Sequence, residues 1–288
     1  MKSSLLTALV AMSLTACTVS KSQAPVDQYG QGIIGGNAVS DADPIGTMTA
    51  MLIDVNQGAL CTASILSSEW LLTAAHCVND ADASSLVVAF HGTFQDIAAG
   101  KVDKKTLRRV QDFQVNPKYA ETMKKIEDMV AAAKAAGKEI SMSDLDDSKD
   151  WGDLALVHIS GTIPADKVAA SLMPSSMRLK KRDSVTLAGY GQTGSDSGSS
   201  YGSLNKVDVS VFDPAWGTSE VVMDQTGGKG ACHGDSGGPA YAQMNGQLYL
   251  FGVTSRGMGD GTGPQCTHYA VYTNATSYST WITGIIGQ

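Results

Sequence analysis

Three short stretches of the 288-residue chain carry side chains suited to covalent catalysis, in the order His, Asp, Ser. "LTAAHC" contains His76, "WGDLALVHI" contains Asp153 and "GDSGGP" contains Ser236. A serine hydroxyl is a weak nucleophile and needs a base within hydrogen-bond reach. Imidazole has a pKa that suits this task near neutrality. A buried carboxylate can fix the imidazole tautomer and stabilise its protonated form. The glycines around Ser236 let the backbone turn tightly and aim N–H groups at a forming oxyanion.

Those residues must be held by a scaffold, and from Ile33 onward the chain reads as one of short strands. Apolar stretches such as "TMTAMLIDV", "ASILSSEWLLTAA", "SLVVAFHG", "LALVHIS", "SVTLAGYG", "LYLFGVTS" and "HYAVYTN" recur with turns between them. Several alternate apolar and polar residues, as half-buried strands do. Many short strands at this spacing suggest an all-β sandwich or barrel. Two stretches interrupt the pattern. Residues 117–137 are rich in Ala, Lys, Glu and Met. With Asn116 as cap, Pro117 in the first turn and Gly137 at the end, they predict an inserted helix. Its apolar stripe of Met123, Ile126, Met129 and Val130 is expected to pack on the domain beneath. "GQTGSDSGSS", residues 191–200, reads as a polar loop in which Ser197 has no role. "SYSTWITGII", residues 277–286, predicts a closing amphipathic helix.

Net charge is −7 and the pI about 5.1, which argues against a nucleic-acid binder. Residues 1–16 read as an export signal, with Lys2 before a short apolar run. Leu14-Thr15-Ala16-Cys17 resembles a bacterial lipobox, which would make Cys17 a lipidation site and residues 17–32 a propeptide or tether. The expected location is then the bacterial cell envelope, or secretion, with membrane contact only through Cys17. Cys61, Cys77, Cys232 and Cys266 remain. In an exported chain two disulfides are the default, and four cysteines allow three pairings. No spacing matches a zinc site, so no metal and no cofactor are expected.

The order of the three motifs, with "IIGG" at Ile33, "CTASILSSEWLLTAAHC", "GACHGDSGGP", "GVTSRG" and "YAVYTN", resembles the chymotrypsin/trypsin family of serine endopeptidases. The resemblance runs from Ile33 to the C-terminus. It implies two packed six-stranded antiparallel β-barrels, residues 33–161 and 162–288, with a C-terminal helix. It implies Ser236 as nucleophile, His76 as general base, Asp153 as its orienter, and the N–H groups of Gly234 and Ser236 as oxyanion hole. It pairs Cys61 with Cys77 and Cys232 with Cys266. It also implies that cleavage before Ile33 frees an amino group that pairs with Asp235. The residues before the cut, Gln31-Gly32, depart from the usual Arg or Lys. A trypsin-like activator is therefore not expected, which leaves another protease, self-processing, or activity without the cut.

By the same resemblance, Gly230 forms the base of the specificity pocket, and Ser255, Gly257 and Ala270 line it. A roomy pocket without a carboxylate implies cleavage after medium or large apolar residues. Lys229 is expected at the surface and His233 at the pocket rim. Arg256 stands where the family usually has an aromatic residue and is expected to line the substrate's path and favour acidic neighbours. His91, His158 and His268 have no partner motif. Tyr119 matches a position shortly before the catalytic Asp, which puts the inserted helix in the loop bordering the non-primed side. Expected partners are protein or peptide substrates and an activating protease, with the chain itself a monomer. The alternatives are a catalytically silent binding protein and a narrow-specificity regulatory protease.

Overall fold

The computed structural model describes residues 33–40, 42–138, 149–191, 202–258, 266 and 268–287. The leader, Cys17, the 17–32 segment and the loop residues 192–200 with Ser197 lie outside the described residues.

Six antiparallel strands close the first barrel in the order β2-β3-β4-β7-β6-β5. They are β2 (Thr49–Asp54), β3 (Ala59–Ile65), β4 (Trp70–Thr73), β5 (Leu86–Ala89), β6 (Leu107–Val115) and β7 (Ala155–Ile159). Every residue of β2 is buried, because both of its faces are covered. Ala50 and Leu52 point into the barrel with Ala63, Ile65, Leu71, Val88 and Val157. Met51 and Ile53, on the alternate face, join a second cluster with Leu72, Leu156, Ala188, Leu250 and Val253. That cluster draws on strands of both barrels and is the joint between them. The period of two along a strand lets one segment serve both cores.

The second barrel is built from β8 (Ser184–Gly189), β9 (Asn205–Trp216), β10 (Glu220–Asp224), β11 (Pro239–Met244), β12 (Gln247–Met258) and β13 (Tyr269–Asn274). Their order is β9-β10-β13-β12-β11-β8, and the β8–β9 pairing closes the ring. Two residues, β1 (Asn37–Ala38), add to β9 at its edge. The segment 33–38, counted with the first barrel on sequence, therefore pairs with the second. Ile33 packs among Val185, Leu187, Val209 and Phe251, and Ile34 exchanges both backbone hydrogen bonds with Gly230, at 2.7 and 3.1 Å. A residue as apolar as Ile33, only 1% exposed, is where burial favours it.

Short helices α1 (Pro44–Met48) and α2 (Phe94–Ala98) lie in connections. The inserted helix forms as α3 (Pro117–Ala135): Asn116 accepts a bond from the Lys118 N–H, Pro117 opens the first turn, and Gly137 follows with φ 64°. Its apolar stripe is only half used. Tyr119 and Thr122 are buried and Met123 packs on the first core, but Met129 is 49% and Val130 44% exposed. At 1.5 Å per residue the helix is roughly 28 Å long, and beyond Ile126 it outruns the barrel face, with nearly every residue exposed. The closing helix α4 (Ser279–Ile286) ends on Gly287 in the left-handed region, and its Ile282 enters the joint cluster. Among the described residues, no helix is long and apolar enough to cross a membrane.

This packing separates two kinds of apolar residue. Leu72→Ala, at the joint, should cost about 2–5 kcal/mol in denaturant unfolding, whereas Met129→Ala should change stability by no more than about 0.5 kcal/mol.

Candidate active site

Asp153 follows a turn at Gly152 (φ 67°) and enters the joint just before β7. It is 1% exposed, and its carboxylate gathers three hydrogen bonds. The His76 backbone N–H donates to Oδ1 at 3.0 Å, the Ser255 hydroxyl donates to Oδ2 at 2.7 Å, and His76 Nδ1 lies 2.7 Å from Oδ2. Burial favours the neutral acid, but the His76 charge and these hydrogen bonds outweigh it and hold the carboxyl below its usual range. An ionised carboxylate only accepts, so Nδ1 carries the ring proton and Nε2 keeps its lone pair. Burial alone would lower the pKa of His76; attraction to Asp153 and the hydrogen bond to it reverse the sign and raise it. The side chain remains 34% exposed.

Ser236 sits in a turn fixed from the first barrel. The Thr62 N–H donates to the Ser236 carbonyl at 2.8 Å, and the Thr62 hydroxyl donates to the Gly234 carbonyl at 3.3 Å. Thr62 adjoins Cys61, whose disulfide to Cys77 places this strand beside His76. Gly237 has φ 77°, and a Cβ there would lie 2.0 Å from Thr73 Oγ1 and 2.4 Å from the Thr62 carbonyl oxygen. The glycine is what lets the Ser236 turn approach the first barrel so closely. Asp235, next to Ser236, is fully buried and accepts from the Gly191 and Cys232 N–H groups, each at 3.0 Å. Burial pushes its pKa up to about 8 against those two bonds. Among the described residues no side-chain cation reaches it.

The remaining predicted positions gather at one end of the second barrel. Ser255 is buried, Gly257 pairs with Ala270 across β12 and β13, and the Cys232–Cys266 disulfide lies beside them. Gly230 is buried, and the side chain of Gln225 occupies the space beside it.

Comparison with known proteins agrees with this arrangement. The family model described as "Trypsin" matches residues 33–282. The chain belongs to the trypsin family. Among curated proteins, "CLIP domain-containing serine protease B4" of Anopheles gambiae is 29% identical over 241 residues, 78% of this chain and 61% of that protein. "Brachyurin" of Leptuca pugilator is 28% identical over 259 residues, covering 87% of this chain and 96% of the relative. "CLIP domain-containing serine protease C9" of Anopheles gambiae is 27% identical, covering 77% and 58% respectively. The chain thus spans roughly three-fifths of the two mosquito relatives and nearly all of the crab one. These relatives are arthropod proteins and lend no support to a bacterial origin.

Within this trypsin-family frame, Arg256 does something other than the sequence reading expects. Its guanidinium bonds both oxygens of Glu220, at 2.7 and 3.0 Å, and lies 4.3 Å over the Trp151 ring. Glu220 is 1% exposed and also accepts from the Trp151 N–H at 3.2 Å. The arginine charge is already paired inside the protein, so it is not held out for acidic substrate residues. Trp151 lies two residues before Asp153, and Arg256 follows Ser255, so the cluster clamps both partners of the Asp153–Ser255 bond. Sequence reasoning missed Thr62, Glu220 and Gln225: Glu220 and Gln225 lie in no motif, and Thr62, inside the stretch before His76, is not of a type that marks a role. Asp150, with φ 60° and bonds to Thr218, Ser219 N–H and the Ser219 hydroxyl, adds a second tie between the barrels.

The other histidines have structural surroundings. His158 stacks on Trp70 at 4.4 Å and lies 3.2 Å from Asp112, and His91 pairs with Asp166 at 3.0 Å. His233 and Lys229 are exposed. Two Cys–His–Cys groups are compact enough for a metal, one around His76 and one around His233. In each, the sulfurs are already joined as disulfides and are not thiolate ligands.

The raised pKa of His76 has a measurable consequence. For His76 acting as a general base only the neutral imidazole is competent, so the acid limb of the kcat/KM profile should have its midpoint above 6.5. Asp153→Asn should move that midpoint downward, since burial then acts unopposed, and should lower kcat by about 10⁴-fold near neutrality.

Proposed function

We propose that the chain is a serine endopeptidase, exported and made as a zymogen, that hydrolyses peptide bonds through an acyl-enzyme on Ser236. The observation that carries the reading is the Asp153–His76 pair, with Asp153 buried and the His76 side chain 34% exposed, within a fold that also holds the Ser236 turn. His76 takes the serine proton at Nε2 as Oγ attacks the scissile carbonyl, and the charge it gains is stabilised by Asp153. Nε2 then returns the proton to the leaving amine. The Gly234 and Ser236 N–H groups receive the oxyanion, and each such donor is worth about 3–4 kcal/mol of transition-state stabilisation. Water repeats the sequence on the ester.

Asp235 supports the zymogen part. A buried carboxyl near pKa 8 ionises at neutral pH only reluctantly, and an adjacent cation would reverse this. Cleavage between Gly32 and Ile33 would create an ammonium group on a residue already seated in the second core. Export and a Cys17 anchor rest on the leader alone, as does a bacterial setting. Cleavage after apolar residues is favoured by the absence of a carboxylate at Gly230. The projecting α3 beside the catalytic Asp favours narrow substrate choice as a second reading.

A fluorophosphonate probe should label the activated protein at Ser236, and the same preparation should digest casein. Ser236→Ala should abolish both. Casein digestion that survives Ser236→Ala would overturn the assignment.

A further inference from the structure

Gly230 has no side chain, yet the space it leaves is not open. A Cβ built on it would lie 2.2 Å from Cδ and Oε1 of Gln225 and 2.5 Å from Cγ. Gln225, just past the end of β10, is 1% exposed. Its Nε2 donates to the carbonyls of Ala231 at 3.1 Å and Cys266 at 3.0 Å, and its Oε1 accepts from the Ala231 N–H at 2.6 Å. Both amide protons are used, and the amide ties together the two segments that the Cys232–Cys266 disulfide also joins. A buried amide with its partners in place is held firmly, since displacing it would strand those groups. Conditions at the other end differ. A Cβ on Gly257 would meet nothing within 4 Å, and its ladder partner Ala270 is small. Open space thus lies beside Gly257, and Gln225 fills the space beside Gly230.

We propose that Gln225 is a specificity-determining residue, forming the floor of the primary pocket and limiting its depth. The proposal rests on the endopeptidase reading above. The residue before the scissile bond is then a medium aliphatic one, of leucine or methionine size. Phenylalanine and tyrosine rings are too deep for a pocket whose base is filled by the amide. Lysine and arginine would bring a cation against a neutral amide with no countercharge, because Gly230, Ala231, Ser255, Gly257, Ala270 and Gln225 include no carboxylate.

The test uses the full chain in the form that reacts with fluorophosphonate, with rates divided by the titrated sites. Peptide anilides differing only in the residue before the cut (Ala, Leu, Met, Phe, Tyr, Arg) give kcat/KM for each variant. The native protein should favour Leu and Met. Gln225→Ala should raise the Phe-to-Leu ratio by about tenfold or more, the scale set by one or two methylenes in an apolar pocket. Gln225→Met keeps the bulk and loses the amide bonds, so it should retain the native ratio; a purely structural role predicts that both variants behave alike. If Gln225→Ala yields no reactive protein, Gln225→Asn, shorter by one methylene, is read in the same way. An unchanged ratio in the shortened variant, or a native preference for Phe, Tyr or Arg, overturns the proposal while leaving the endopeptidase reading intact. A native chain that neither reacts with the probe nor cleaves any substrate overturns both.

Discussion

The carboxyl of Asp235 sets the terms for the functional end of this molecule. It is buried beside Ser236, accepts from the Gly191 and Cys232 N–H groups, and is pushed by burial to a pKa of about 8. Under the proposed zymogen reading, a cation beside this carboxyl would favour its ionised form. Compensation from a new chain end is physically economical, because Ile33 already lies in the second core and Ile34 is already bonded to Gly230. The same two hydrogen bonds tie the N-terminal segment to Gly230.

Polar ties across the joint between the barrels position the reacting groups. Ser255 reaches Asp153, Thr62 reaches both Gly234 and Ser236, and Thr273 donates to the Asp153 carbonyl at 3.0 Å. The apolar joint around Leu72, Leu156 and Val253 supplies the cohesion, while these bonds fix the register. The Glu220–Arg256–Trp151 cluster adds rigidity where the family usually places an aromatic residue. Removing one member of a buried ion pair typically costs about 3–5 kcal/mol, so this cluster is a costly substitution to make piecemeal.

Much of the fold and the local motifs around the site was legible in the sequence. Alternating apolar residues marked the strands, and the cap and proline at Asn116-Pro117 marked α3. His76, Asp153 and Ser236 stood out because each lies in a local motif. Gln225, Thr62 and Glu220 did not, because their parts depend on folded contacts that no local pattern marks, Thr62 with Gly234 and Glu220 with Arg256 among them. Gly230 shows the difficulty best. A glycine reads as empty space in the sequence, and only the fold reveals that Gln225 fills the space beside it. Arg256 was misread for a related reason: its partner Glu220 lies 36 positions away. The far half of α3 was misjudged because helical periodicity says where apolar residues align, not how far the surface beneath them extends.

The most direct measurement is the N-terminus of the protein labelled by fluorophosphonate, read by mass spectrometry. The account predicts that the labelled species begins at Ile33, whose freed amino group compensates Asp235. Labelled protein that still begins upstream of Ile33 would show that Ser236 becomes reactive with Asp235 uncompensated by a new terminus, and would contradict the account.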